Sequence, residues 1–113
     1  MALLETQEEV CSRLGIIGKP PHTGEKLGIA LATVGSLPIN GLRINLKGTC
    51  GWFIWAGGEP SDDADFYQPL HVAHIPDYLP SVEPYLSLPP GYRFQIADGY
   101  EDVWFDSTLL GEG

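Results

Sequence analysis

His71 and His74 are the side chains of this sequence whose types and spacing most suggest metal binding or catalysis. Four carboxylates precede them in the same segment: Glu59, Asp62, Asp63 and Asp65. Two histidines and a nearby acid can hold zinc or iron, so a small-ligand or metal-dependent enzyme using His71 and His74 is one hypothesis. The H-x-x-H spacing lacks the glutamate of the zinc-protease motif, and packed or hydrogen-bonded histidines on a half-buried segment are the more common explanation of such a pair. We therefore predict no metal and no cofactor.

Other catalytic and ligand-binding patterns are incomplete. In "SDDADFY", a calcium loop starting at Asp63 would need glycine at its sixth position and glutamate at its twelfth, where Gln68 and His74 stand. The sequence has no G-x-S-x-G elbow and no lysine-containing phosphate loop. Cys11 and Cys50 form no C-x-x-C pair and are predicted to be free and buried. These patterns predict that the protein is not an enzyme.

Charge is distributed unevenly along the chain, whose total is −9. Residues 1–58 hold four acids and five bases, a net charge of +1, whereas residues 59–113 hold eleven acids and one base, a net charge of −10. Such a region repels phosphate backbones and anionic membranes, which argues against nucleic-acid or membrane binding. It attracts a basic protein, although solubility alone also explains an acidic chain. The N-terminus has no secretory signal, so we expect a cytoplasmic protein.

Hydrophobic periodicity predicts one domain of 113 residues. Residues 3–14 have the i, i+3/4, i+7 pattern of an amphipathic helix that ends at Gly15. Residues 27–56 are predicted to hold strands, including "LRINL", with Leu42, Ile44 and Leu46 inward and Arg43 outward, and a central aromatic strand "WFIWA".

The second half continues with an acidic loop and irregular segment over 57–75, because Pro69 argues against a central strand there. A short helix is predicted over 76–88, and a hairpin with a type I′ turn at Asp98-Gly99 over 92–106. The predicted fold class is α+β: a mainly antiparallel sheet of about five strands with helices packed on one side.

Aromatic and acidic residues lie close together along the predicted strands and loops. Consecutive strand residues face opposite ways, so Trp52 and Phe53 cannot share a face, nor can Trp104 and Phe105. Aromatic anchors inside a charged rim are typical of protein-binding sites, although a fully covered sheet would use the same aromatics as core. The candidate partner-binding residues are the following: Trp52, Trp55, Glu59, Asp62, Asp63, Asp65, Glu101, Asp102, Trp104 and Asp106.

Four stretches after Gly51 resemble a family of bacterial immunity proteins that partner polymorphic toxins, catalogued as immunity protein thirty-three. The stretches are "GWFIWAGGE", "DADFYQPLHVAHI", "YLSLPPGYRF" and "YEDVWFD". The resemblance covers roughly the C-terminal 60 residues, and an additional glycine in "AGGE" departs from the Gly-Glu signature. It implies an α+β fold, no catalysis and neutralisation of a toxin by binding.

Three functional hypotheses follow. The first is a cytoplasmic immunity protein whose acidic half covers a basic protein toxin, for example a nuclease. The second is the enzyme built on His71 and His74. The third is a homodimeric structural module that uses the same aromatics for self-association.

Overall fold

Helix α1, Gln7–Leu14, is fixed at both ends by local sequence. A computed structural model of the chain describes residues 5–22, 24–45 and 49–110. The Thr6 side chain accepts the Glu9 N–H at 3.1 Å, and the Glu9 carboxylate accepts the Thr6 N–H at 2.8 Å, which forms a capping box. Gly15, with φ of 71°, ends the helix. The capping box explains a start later than residue 3; residues 3 and 4 of the predicted helix lie outside the described residues.

Within the described residues, six strands form one sheet, in the spatial order β4-β1-β3-β2-β5-β6. The strands are β1 Lys26–Ile29, β2 Ile39–Arg43, β3 Trp52–Ala56, β4 Gln68–His71, β5 Tyr92–Ala97 and β6 Tyr100–Phe105. β1 and β3 are parallel, and the other neighbours are antiparallel. The α+β single-domain fold is thus confirmed, with six strands instead of about five.

Short helical segments occupy the connections. Helix α2 spans Ile75–Tyr78, and 3₁₀ turns span Leu31–Thr33, Val72–His74, Glu83–Tyr85 and Ser107–Leu110. The hairpin of β5 and β6 turns at Asp98-Gly99, where Gly99 has φ of 70° and Asp98 keeps a negative φ. The turn is therefore not of type I′, which needs a positive φ at both residues.

Strand β4 lies inside the segment 57–75 that was predicted to be irregular. It is an edge strand, and the Val72 N–H just beyond it donates to Glu25 O at 2.9 Å. Backbone direction alternates along a strand, so the backbone groups of Gln68 and Leu70 also point toward β1, and Pro69 lies at an outward position. An N–H group at an outward position makes no hydrogen bond to β1. The absence of this group in proline therefore costs no strand hydrogen bond, and Pro69 is compatible with β4.

Strand β2 has the opposite facing to the one predicted. Leu42 lies on the face away from the helices, whereas Arg43 is 4% exposed and faces the core. Its guanidinium donates to the carbonyls of Cys50, Lys19, Leu86 and Leu88, at 2.7–2.9 Å except for Leu86 at 3.2 Å. The same alternation puts Gly41 inward, where a Cβ would lie 2.3 Å from the Phe94 ring. Leu46, also predicted inward, lies outside the described residues.

The core lies on one face of the sheet, called here the covered face. Its sheet side includes Ile29, Trp52, Ile54 and Phe94. Residues from α1, α2 and the following turns cover them: Cys11, Ile75, Leu79, Val82, Leu86 and Leu88. Both cysteines are buried and free, as expected from their spacing. Among the described residues, no helix has the length and apolar character needed to cross a bilayer.

Candidate protein-binding surface

The face of the sheet opposite the helices, called here the open face, carries two rows of side chains. Strand register places Leu42 beside Phe53 and Arg93, and Arg93 beside Trp104. The neighbouring row holds Trp55, Asn40, Gln95 and Asp102. Leu42, Phe53, Arg93 and Gln95 are half-buried, and Trp104 is 38% exposed. The open face therefore presents aromatic and charged groups together.

Residues 57–67, called here the acidic loop, are held against the open face at both ends. At its start, the Gly57 N–H donates to Pro38 O at 2.9 Å and the Trp55 indole N–H donates to Gly58 O at 2.8 Å. At its end, the Tyr67 ring packs against Phe53, with centroids 5.1 Å apart, and lies 6.4 Å from Trp55. These contacts leave Trp55 only 5% exposed. The aromatic residues of β3 and the acidic loop thus form one structural unit.

The acids of this loop point away from the unit that holds it. Glu59, Asp62, Asp63 and Asp65 are all exposed. Asp63 shapes the loop, since its carboxylate accepts the Asp65 N–H at 2.9 Å and its carbonyl accepts the Phe66 N–H at 3.0 Å. The side chains of Asp62 and Asp65 have no hydrogen-bond partner among residues 5–22, 24–45 and 49–110. Their carboxylates, like that of the exposed Glu59, are therefore available to a partner.

Negative charge gathers at one end of the sheet. Strand directions bring three connections to this end: residues 30–38, the acidic loop and the turn at 98–99. Together they contain five acids and no base, and the acids are Glu59, Asp62, Asp63, Asp65 and Asp98. The opposite end of β1 and β4 carries Lys26 and His71. The end of the sheet that holds these five acids is called here the acidic end.

Glu101 of β6 and Asp106, which directly follows β6, already have partners within the chain. The Glu101 carboxylate accepts two hydrogen bonds from Arg13, both 2.8 Å, and one from the Tyr85 hydroxyl. The Arg13 guanidinium, which also binds Glu5, is the main reason that the pKa of Glu101 is lowered. These contacts use Glu101 to connect the sheet to α1.

Asp106 is also engaged within the chain. Its carboxylate accepts hydrogen bonds from Thr108 and, at 3.0 Å, from the Arg93 guanidinium. Both bonds lower the pKa of Asp106, and the bond from Thr108 contributes more. Asp102 differs from Glu101 and Asp106, because its exposed carboxylate has no hydrogen bond or ion pair in the described part of the chain. Among these three predicted acids, Asp102 is the one that remains available.

The tryptophans predicted to contact a partner occupy three different environments. Trp52 is 0% exposed, on the covered face, and its indole N–H donates to Leu86 O at 2.9 Å. It offers no surface to a partner in this structure, because alternation along β3 points it into the core. Trp55 lies beneath the acidic loop, and Trp104 stands on the open face with the Arg93 guanidinium 5.8 Å from its ring. Trp104 is therefore the most exposed of the three predicted tryptophans.

Sequence reasoning missed two exposed aromatics on β6. Tyr100 is 48% exposed and lies on the same face as Trp104, whereas Phe105 is 51% exposed on the other face. Their exposure follows from the position of β6 at the edge of the sheet. The sequence gives no sign of this, since a hairpin strand with alternating residues reads the same at an edge and at a centre.

His71 and His74 lie apart from the acidic loop. Their ring centroids are 6.1 Å apart, and the nearest acid contact is from His74 Nδ1 to Asp77 Oδ2 at 3.4 Å. His71 pairs with Lys26, at the end of β4 farther from the acidic loop. In the described ranges, no group of three or more His, Cys, Asp or Glu side chains could hold a metal ion. The geometry therefore does not support the metal hypothesis.

Two concave regions lie near the cysteines. A cavity of about 470 Å³ beside α1 is lined by Gln7, Cys11 and Ser87 among others, and one of about 350 Å³ includes Lys19, Arg43 and Cys50. Burial raises the pKa of both thiols, which keeps them protonated and poorly nucleophilic. These cavities do not provide an activated nucleophile.

Comparison with known protein families gives a match over most of the chain. The sequence model of the Imm33-like domain matches residues 6–106. No curated protein and no solved structure matches the chain.

Proposed function

The chain belongs to the Imm33-like domain family, and on that premise we propose that it is an immunity protein that binds and neutralises a protein toxin. Binding alone carries this function, and the chain catalyses no reaction. The toxin that we propose has a basic surface, as a nuclease does around the cleft that holds its phosphate-rich substrate. The protein acts in the cytoplasm, in agreement with two buried cysteines that form no disulfide.

The acidic end is the observation that carries this proposal. The exposed carboxylates of Glu59, Asp62 and Asp65 belong to the acidic loop. Contacts of this loop with the aromatic residues of β3 hold it in place. A loop that is already ordered loses little conformational entropy when a partner binds it. Charges concentrated at one end also accelerate the encounter with an oppositely charged protein. Self-association through the same end is disfavoured, because each copy carries a net charge of −9.

The direct test of this function is protection in a bacterial host. The chain is co-expressed with a candidate toxin, chosen from any toxin-like reading frame found beside its own gene, and surviving colonies are counted with and without the chain. We expect survival to depend on the chain and the purified proteins to form a stoichiometric complex. Growth arrest that persists at full expression of the folded chain would refute the proposal.

The electrostatic part of the proposal has its own test, with a matched control. Asp62→Asn with Asp65→Asn removes two carboxylates whose side chains make no bond within the described residues. Glu8→Gln with Asp77→Asn changes the net charge equally, at exposed positions outside the acidic end. Stopped-flow association with the toxin should slow several-fold for the first pair at low salt and converge with wild type at high salt. Equal rates for both pairs would exclude steering by the acidic end.

A further inference from the structure

The two edges of the sheet differ in the backbone groups that they leave unpaired. At the β4 edge, the outward positions are Pro69, which has no N–H, and His71. That edge offers one strand N–H to a neighbour. A short edge strand with proline is a common way in which proteins prevent unwanted strand pairing. The β4 edge is therefore protected.

The β6 edge has no such protection. Ala97 and Tyr100 flank a two-residue turn, so they form a hydrogen-bonded pair, and the Asp106 N–H donates to Gly91 O at 2.7 Å. Hydrogen-bonded and non-hydrogen-bonded pairs alternate along the hairpin, so the backbone groups of Asp102 and Trp104 also point toward β5. The N–H and C=O groups of Glu101, Val103 and Phe105 point outward, and in the described part of the chain they have no hydrogen-bond partner.

The side chains beside these free backbone groups define what would fit there. Tyr100, Asp102 and Trp104 lie on the open-face side, and the Asp102 carboxylate is unpaired there. On the other side, Val103 is partly buried and Phe105 is half exposed. β6 itself contains no lysine or proline, the residues that most often block an edge. A strand with cationic residues toward Asp102 and apolar residues toward Phe105 would complement both sides.

We infer that β6 accepts an extended, cationic segment of a partner protein as a seventh strand of the sheet. Three outward N–H groups and three outward C=O groups provide the pairing, and the unpaired Asp102 carboxylate together with the net charge of −9 favours a positively charged segment. A second copy of this chain is a poorer occupant, because two chains of charge −9 repel each other. The identification of the segment as part of a toxin rests on the proposed function; the strand-accepting edge itself is tested without a toxin.

The test uses the ¹⁵N-labelled full chain and a synthetic peptide, acetyl-(Lys-Val)₄-amide, at low salt. Amide hydrogen exchange is measured by NMR for each residue of β6. With saturating peptide, we expect exchange at Glu101, Val103 and Phe105 to slow by roughly tenfold or more, since each amide gains a bond. Exchange at Asp102 and Trp104 should change little, because β5 already protects these amides.

Two control peptides and two variants separate strand pairing from charge attraction. Acetyl-(Lys-Pro-Pro)₄-amide has the same charge, but its N–H groups recur only at every third residue and its Pro-Pro pairs favour polyproline II, so it does not match the two-residue repeat of a strand ladder. Acetyl-(Glu-Val)₄-amide has the opposite charge, and neither peptide should protect the three amides. Val103→Pro removes an outward N–H and should abolish protection at Glu101 and Phe105, whereas Val103→Ala keeps the N–H and should preserve it. If Val103→Pro fails to fold, the peptide series on the unaltered chain still decides.

Several outcomes overturn the inference. They are unchanged exchange at the three amides with the lysine-valine peptide, equal protection by the lysine-proline peptide, and protection that appears with rising protein concentration alone, which would identify a second copy as the occupant. If these occur while the chain still rescues cells from the toxin, the proposed function stands and the edge assignment fails. If the peptide pairs with β6 but no rescue occurs, the proposed function fails and the edge assignment stands.

Discussion

An arginine lies over a tryptophan ring on each face of the sheet, at the same distance of 5.8 Å. On the covered face Arg43 lies over Trp52, and on the open face Arg93 lies over Trp104. The covered pair is buried, and its guanidinium is satisfied by main-chain carbonyls. The open pair is partly solvated, and its guanidinium binds the Asp106 carboxylate. The same two residue types thus stabilise the core on one face and remain partly exposed on the other.

The tryptophans should give the largest contrast in stability. Trp52→Ala removes a fully buried ring that packs 5.4 Å from Phe94, and we expect a loss of about 3–5 kcal/mol in the free energy of unfolding. Trp104→Ala should lower it by about 1 kcal/mol or less, because water already reaches the ring. Urea denaturation followed by circular dichroism measures both, and similar losses would contradict the contrast.

The arginines should give the next largest contrast. Arg43→Met leaves the carbonyls of Cys50, Lys19, Leu86 and Leu88 without this donor, so we expect a loss of about 3 kcal/mol. Arg93→Met should cost about 1 kcal/mol or less, since the exposed side of its ion pair is screened by solvent. The matched melting curves of the two variants test this, and a larger loss for Arg93→Met would reverse our assignment of the faces.

A change on the open face should weaken binding more than folding. Exposed tryptophans near the centre of an interface often contribute about 2 kcal/mol or more to affinity. We expect Trp104→Ala to raise the dissociation constant for the toxin by roughly 30-fold, mainly through faster dissociation. Calorimetric titration measures the change. Ala97→Ser, on the same face and nearer the turn, is the control and should bind as wild type does.

The smallest expected effect is a pH dependence at the contact of β6 with α1. The pKa of Glu101 is lowered in the fold, so its stabilising contribution is complete above its unfolded pKa, close to the ordinary value of 4.5. The contribution is lost as pH falls from that value through the lower folded pKa. Glu101→Gln should therefore cost about 1 kcal/mol at pH 7 and progressively less below pH 4.5. Denaturation at pH 7, 5 and 3 tests this, and a constant difference would contradict it.

Local signals in the sequence predicted the elements that depend on local chemistry. The Gly15 cap, the central aromatic strand and the hairpin around Asp98-Gly99 all follow from short-range rules. Exposure of Asp62 and Asp65 was also predictable, because a loop rich in acids, glycine and proline cannot be buried. These features require no knowledge of what lies elsewhere in the chain.

The features that were missed depend on distant partners. The alternation in "LRINL" gives two faces but not which one is inward, and Arg43 is inward because carbonyls from Lys19 and Leu88 meet it there. Pro69 argued against a central strand in the sequence. Its outward position on an edge strand follows from the pairing of β4 with β1, which the local sequence does not reveal. The sequence predicted that Glu101 would bind a partner, whereas in the fold its carboxylate accepts hydrogen bonds from Arg13 of α1. Each of these outcomes is decided by contacts between separate segments.

The contacts at the two ends of the acidic loop separate its outer residues from the folding of the domain. Hydrogen bonds at Gly57 and Gly58 and the Tyr67 ring fix where the chain leaves the sheet and where it returns. Substitutions between these points, apart from Ser61, Asp63 and Phe66, which make contacts within the loop, change the outer surface and leave the core untouched. A scaffold of this kind can acquire a new recognition specificity in a few mutational steps, without first gaining stability to tolerate them.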